Sequence, residues 1–99
     1  MFAIRFAEGD EEDLRKIRMF YRNQILDAIE AQLAHEPDIK TRNRKLLENL
    51  LPLPQSARPV WELRVGEYRV FYDVSPARAV VFVLGIRRKK GRAKTEEIL

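Results

Sequence analysis

The stretch from Trp61 to Val74, WELRVGEYRVFYDV, decides how this chain folds. Two runs in which large apolar residues alternate with other types are separated by Gly66-Glu67, the pattern of a β-hairpin with glycine at the first turn position. A two-residue turn sets Val65 opposite Tyr68, Arg64 opposite Arg69, Leu63 opposite Val70, Glu62 opposite Phe71 and Trp61 opposite Tyr72. One side of the ribbon then carries Trp61, Leu63, Val65, Tyr68, Val70, Tyr72 and Val74 and is almost wholly apolar. The other side sets two arginines against each other, an arrangement that destabilises a sheet unless something compensates it.

Working outward from the hairpin, SPAR (75–78) is a turn, and AVVFVLGI (79–86) is a continuous apolar run. Such a run predicts a central strand covered on both faces. At the other end of the chain FAIRFA (2–7) alternates and predicts a short first strand stopped by Gly9. Asp10 reads as a helix N-cap, with Glu11, Glu12 and Asp13 suited to the positive end of the helix dipole. Leu14, Ile17 and Tyr21 share one helical face. A second helical stretch, Arg22 to His35, places Ile25, Ala28, Ile29, Gln32 and Leu33 on one face and ends ahead of Pro37. No glycine or proline separates the two stretches, so periodicity fits either one long helix or a hairpin of two, although so short a chain must fold back to bury both faces. RKLLENLLPLPQSARP (44–59) reads as a connection that admits a helical turn over Lys45 to Leu50, its three prolines excluding a regular central strand. The order of elements predicts an α+β domain spanning residues 1–99, with two helices on one face of a mostly antiparallel sheet. Leu14, Ile17, Ile25, Ile29 and Leu33 are expected to meet the apolar side of the hairpin.

A chain of 99 residues buries roughly 60–65% of its unfolded surface, enough for one modest core. It has no cysteine, which excludes a disulfide framework and a cysteine-based zinc site. No metal or other cofactor is expected. The N-terminal MFAIRFAEGDEED is acidic and unlike a signal peptide, and no apolar stretch approaches the length of a membrane span, so a cytoplasmic protein with no membrane partner is expected. Charge is uneven along the chain. Five basic and nine acidic residues precede Ile39, whereas fourteen basic and six acidic residues follow from there. Two clusters hold most of the positive excess. KTRNRK (40–45) contributes Lys40, Arg42, Arg44 and Lys45; RRKKGRAK (87–94) contributes Arg87, Arg88, Lys89, Lys90, Arg92 and Lys94. This distribution favours a polyanion or an acidic protein segment over a neutral small molecule.

The paired arginines admit two readings. Arg64 and Arg69 either grip a phosphate or carboxylate between them, or form surface ion pairs of little energetic value, Arg64 with Glu62 or Glu67 and Arg69 with Asp73. Phe71 shares their face and is a candidate for stacking on a base. Trp61 shares the apolar face and reads as core. His35, the only histidine, lies at a helix end away from the hairpin and reads as a helix-end residue rather than a general base.

TRNRKLL, WELRVGEYRVFYDV, the apolar strand and the basic tail together resemble the RelE/ParE superfamily of bacterial toxins from type II toxin–antitoxin systems, its RelE-like branch in particular. The resemblance covers nearly the whole chain. It implies a strand-helix-helix-three-strand fold with a helical hairpin turning near Met19 to Asn23. It also implies a cognate antitoxin partner, either a dimer or a toxin–antitoxin hetero-oligomer, and roles in plasmid stabilisation and stress response. RelE-like members cut messenger RNA in the ribosomal A site, and ParE-like members poison DNA gyrase. Carried over to this sequence, the catalytic cations fall on Arg69, on Arg64, and on Arg88 or Lys89. From the two clusters Lys40, Arg42, Arg44, Lys45, Arg87, Lys90 and Arg92, together with Phe71, are the expected RNA- or anion-binding set. Two departures bear on activity: Glu62 stands where the family places a second lysine, and the position of a C-terminal tyrosine falls near Thr95. Three readings follow: a nuclease of ribosome-bound messenger RNA acting through Arg64, Arg69, Arg88 and Lys89, a non-nuclease toxin of gyrase, and an attenuated member that binds only its antitoxin or nucleic acid.

Overall fold

The computed structural model describes residues 1–47 and 59–89. Its elements run β1 (Ala3–Phe6), α1 (Asp10–Arg15), α2 (Met19–Leu33), β2 (Arg44–Leu46), β3 (Trp61–Val65), β4 (Tyr68–Ser75) and β5 (Val80–Arg88). The strands form one sheet in the order β1-β5-β4-β3-β2, antiparallel throughout except where β1 runs parallel to β5. The architecture is α+β, as the order of sequence patterns implies.

The hairpin has the expected register, with Arg64 opposite Arg69 and Leu63 opposite Val70. Gly66 takes φ +59° and Glu67 keeps a negative φ, the combination of a type II′ turn, whose twist suits a two-residue hairpin. On the apolar side Leu63, Val65, Val70, Tyr72 and Val74 join Ile25, Ile29 and Leu33 of α2 and Val81, Val83 and Ile86 of β5 in the core, with Leu14, Ile17 and Trp61 partly buried around it. Trp61 stacks on Tyr72 at 6.2 Å between ring centres. The Tyr72 hydroxyl donates to the Pro37 carbonyl at 2.7 Å, which ties the end of the helical region to the centre of the sheet.

Four expectations are corrected. The central strand is β4, every residue of which from Arg69 to Ser75 is buried; β5 is interior but keeps Phe82 and Leu84 half-exposed. The helix break comes at Lys16 to Arg18 rather than Met19 to Asn23, so Tyr21 belongs to α2. Lys45 belongs to a short edge strand, not a helical turn, because Arg44, Lys45 and Leu46 pair with Leu63, Glu62 and Trp61; the Glu48–Leu50 end of that expected turn lies outside the described residues. Finally, Asp10 does not cap α1. Gly9, at φ +99°, occupies the cap position, and the Asp10 carboxylate accepts a hydrogen bond from the Ala7 N–H behind it at 2.8 Å.

Asp10 is only 1% exposed. Burial pushes its carboxyl from 3.8 up to about 6; the Ala7 N–H opposes this, Asp13 adds to it, and Arg87 offsets part. The folded protein therefore holds a proton between about pH 4 and 6 that the unfolded chain has lost. Stability falls as pH rises through that window, and the full cost, of order 2–3 kcal/mol, is present above it. Asp10→Asn keeps an oxygen for the Ala7 N–H and removes the charge. Urea unfolding at pH 3.5 and pH 7.5 is expected to show the variant more stable than wild type at the higher pH and nearly level with it at the lower. An equal difference at both would show that Asp10 does not titrate in this way.

Candidate functional site

Lys45, Glu62, Arg64 and Arg69 lie on the sheet face opposite α2, on the parity of strand positions that excludes Leu63 and Val70. Glu62 is the hub. Its buried carboxylate lies 3.5 Å from the Lys45 ammonium and 3.9 Å from Arg69 Nε. Arg69 also donates through Nη1 to the Gly66 and Tyr68 carbonyls, both at 2.9 Å, so its guanidinium curls back over the hairpin turn. Burial and then the neighbouring Arg64 charge pull Arg69 below the usual arginine value, with Glu62 opposing. Arg64 itself is exposed. The like-charge cross-strand pair is thus tolerated because one member is neutralised from the diagonal position while the other faces water.

A bulge decides where the C-terminal arginines point. Phe71 pairs with Gly85 but Tyr72 pairs with Val83, leaving Leu84 as the extra residue of β5. Beyond it Ile86 comes onto the core side with Val70, and Arg88 follows onto the helix side opposite Tyr68. Arg88 is held there by Glu67 through Nε at 3.2 Å and Nη2 at 2.9 Å. Arg87 is opposite Arg69 in register, but its Nη1 donates to Asp13 of α1 at 2.9 Å. Arg88 is therefore separated from Arg64 and Arg69 by the sheet, and alternation leaves Lys89 on the Arg69 side. Lys89 is anchored by its own N–H to the Glu67 carbonyl at 2.7 Å.

The first basic cluster divides in the same manner. Lys40 and Arg42 are exposed in the loop before β2. Arg44 is buried and belongs to the fold: Nη1 donates to the Gln32 carbonyl at 2.7 Å and to the Glu36 carbonyl, and Nε donates to Thr41 Oγ1 at 3.2 Å. Helix α2 has no basic residue in its last turn, and Arg44 supplies the cation and donors that its open carbonyls need. Phe71 is 1% exposed, so stacking on a base would require displacing what covers it. His35 is exposed near Gln32, Glu36 and Arg44, away from the sheet face. Lys90, Arg92 and Thr95 lie outside the described residues. Among the described residues no three His, Cys, Asp or Glu side chains are placed to hold a metal ion, and no helix is long and apolar enough to cross a membrane.

Glu62 is expected from sequence either as a partner of Arg64 or in place of a family lysine; in the fold its carboxylate lies beside Lys45 of the edge strand and Arg69. Residues 4–92 match the family described as ParE toxin of type II toxin-antitoxin system, parDE. The chain belongs to the ParE toxin family, within the RelE/ParE superfamily. No curated protein matches its sequence. The toxin's fold is similar to the archaeal RelE–RelB complex from Pyrococcus horikoshii, at 20% identity over 93% of this chain and 98% of that one, with a TM-score of 0.71. It is also similar to RelBE2 from Mycobacterium tuberculosis, at 20% identity over 89% and 98% of the two chains and a TM-score of 0.67. The RelBE complex of E. coli matches at 22% identity over 93% and 100%, with a TM-score of 0.60.

The toxin's basic residues thus fall into structural and available sets. Arg44→Ala is expected to cost about 2–3 kcal/mol, because it strips charged hydrogen bonds from buried carbonyls. Arg64→Ala should change stability by less than about 0.5 kcal/mol. Chemical unfolding of the two variants beside wild type checks the division, and equal effects would contradict it.

Proposed function

We propose that this toxin inhibits translation in the cytoplasm by cleaving ribosome-bound messenger RNA, and that a cognate antitoxin restrains it by covering the sheet face. The observation that supports this reading is the cluster of Lys45, Arg64 and Arg69 around Glu62. In RNA cleavage the 2′-hydroxyl gives up its proton to solvent as its oxygen attacks phosphorus, charge builds on the pentacoordinate phosphorus, and the bond to the 5′-oxygen breaks as that oxygen takes a proton. Arg64, exposed beside the better-buried Arg69, can grip the scissile phosphate. Lys45 replaces from β2 the lysine that β3 lacks and is the ammonium nearest to serve the leaving oxygen. Glu62 acts as a positioning residue, holding Lys45 and Arg69 at fixed distances. Lys89 extends the same face, whereas Arg88 and Arg87 serve it only by bracing the hairpin and α1.

A second reading, a non-nuclease toxin of DNA gyrase, draws support from the family description and from the pairing of Arg69 with backbone carbonyls, which leaves fewer free cations for acid–base work. The two readings separate in one experiment. Expression without antitoxin should arrest translation, with new message ends appearing only on ribosomes, and Arg64→Ala or Lys45→Ala should reduce cleavage by about a hundredfold to a thousandfold, the range lost with one stabilising group. Intact messages together with inhibited gyrase supercoiling would select the second reading. Intact messages with active gyrase would leave the attenuated member.

The antitoxin proposed here carries an acidic segment that meets Lys45, Arg64 and Lys89. Its association rate is expected to fall as salt rises from 50 to 300 mM, since exposed charges are screened over about 8–10 Å near physiological ionic strength. Stopped-flow rates for wild type and Arg64→Ser measure this; a rate indifferent to both salt and substitution would place the antitoxin elsewhere.

A further inference from the structure

On the opposite side of the sheet the toxin has an open groove of about 830 Å³ between the start of α2 and the β3–β4 turn, lined by Lys16, Arg18, Phe20, Tyr21, Tyr68 and Arg88. Its ring systems are unusually available. Phe20 is 74% exposed and Tyr21 43% exposed; Phe20 stands edge-on to Tyr21 at 5.3 Å, and Tyr21 leans toward Tyr68 at 6.0 Å. Nothing in the core requires Phe20 at this position, because α2 buries Ile25, Ile29 and Leu33 instead. The cations around the rings outnumber the anions. Glu67, on the groove wall, is already engaged by Arg88, which leaves Lys16 and Arg18 as the excess. The first turn of α2 has no acidic residue and no side-chain cap, so the helix adds its positive end to the same mouth.

We infer that this groove binds single-stranded RNA, with bases stacking on Phe20 and Tyr21 and the backbone phosphates held by Lys16 and Arg18. Exposed ring faces interleaved with cations are the elements of a stacking platform, tolerant of base identity because every base has a flat face. An amphipathic peptide helix would ask instead for closed apolar holes at helical spacing, and the groove offers ring faces beside charges. The assignment rests on the RNA-directed reading for its ligand, and it places a second RNA contact on the far side of the sheet from Lys45, Arg64 and Arg69. A strand held at both could pass around the hairpin turn, where Arg88 and Glu67 close the groove.

Fluorescence anisotropy of a 5′-fluorescein-labelled oligouridine octamer, titrated with the full chain in the absence of ribosomes, tests this directly. Phe20→Leu and Tyr21→Leu keep apolar side chains at exposed positions without the rings, and each is expected to weaken binding about tenfold. Phe20→Tyr should retain wild-type affinity. The double variant Lys16→Ser/Arg18→Ser should lower the slope of log affinity against log salt by about 1.4, near 0.7 for each lost phosphate contact on a single strand. Wild-type affinity in both leucine variants would overturn the assignment. So would displacement of the RNA by an acidic amphipathic peptide whose own binding falls equally with Phe20→Leu, since the groove would then be a peptide site. Octamer binding that depends on Phe20 in a toxin that cleaves no message would uphold the groove and sink the nuclease reading; message cleavage with ring-independent binding would do the reverse.

Discussion

The burial of β4 is the constraint on which the rest of the toxin depends. It is the middle strand of five, and from Arg69 onward both of its faces are enclosed. Its apolar parity receives α2 through Ile25, Ile29 and Leu33, while its polar parity carries Arg69 and Asp73 into the interior of the opposite face. A buried charge persists only with partners. Arg69 meets that requirement with Glu62 and two turn carbonyls, and the same contacts stiffen the hairpin whose exposed member is Arg64. Structural necessity and the candidate chemistry therefore meet in one guanidinium.

The bulge at Leu84 is the second determinant, because side chains in a strand alternate with period two and one extra residue exchanges the faces beyond it. It sends Arg88 toward Tyr68 and Arg87 toward α1, and each arginine is then fixed by a carboxylate from a different element, Glu67 or Asp13. Alternation alone sets the two arginines on opposite sides of the sheet, and the bulge decides which of them takes the helix side. Among the described residues one positively charged surface lies around Glu62 and another, on the opposite face, beside Phe20 and Tyr21.

Arg44 shows how local sequence and long-range need combine. Helix α2 ends without a basic residue of its own, and the cation that satisfies its carbonyls arrives from β2. The pairing of β2 with β3 keeps that guanidinium under the helix end and, one residue later, presents Lys45 to Glu62 on the other face. A single short strand therefore serves stability with one side chain and the site with the next.

The alternation of WELRVGEYRVFYDV determined by itself the hairpin, its register, the apolar parity and the placement of Arg64 and Arg69 together, since period-two patterning and a glycine turn are local properties. The helical faces of Ile25, Ile29 and Leu33 were legible for the same reason, and the resemblance around TRNRKLL and the hairpin reached the family. Four features were not legible: which strand is central, that Asp10 turns back to Ala7, that Arg44 is buried at a helix end, and that Lys45 meets Glu62 from an edge strand. Each depends on what approaches from a distant part of the chain. Most of all, a run such as AVVFVLGIRR contains no local mark of a bulge, so the faces taken by Arg87 and Arg88 were settled only when β5 paired with β4 and Ile86 had to join the core.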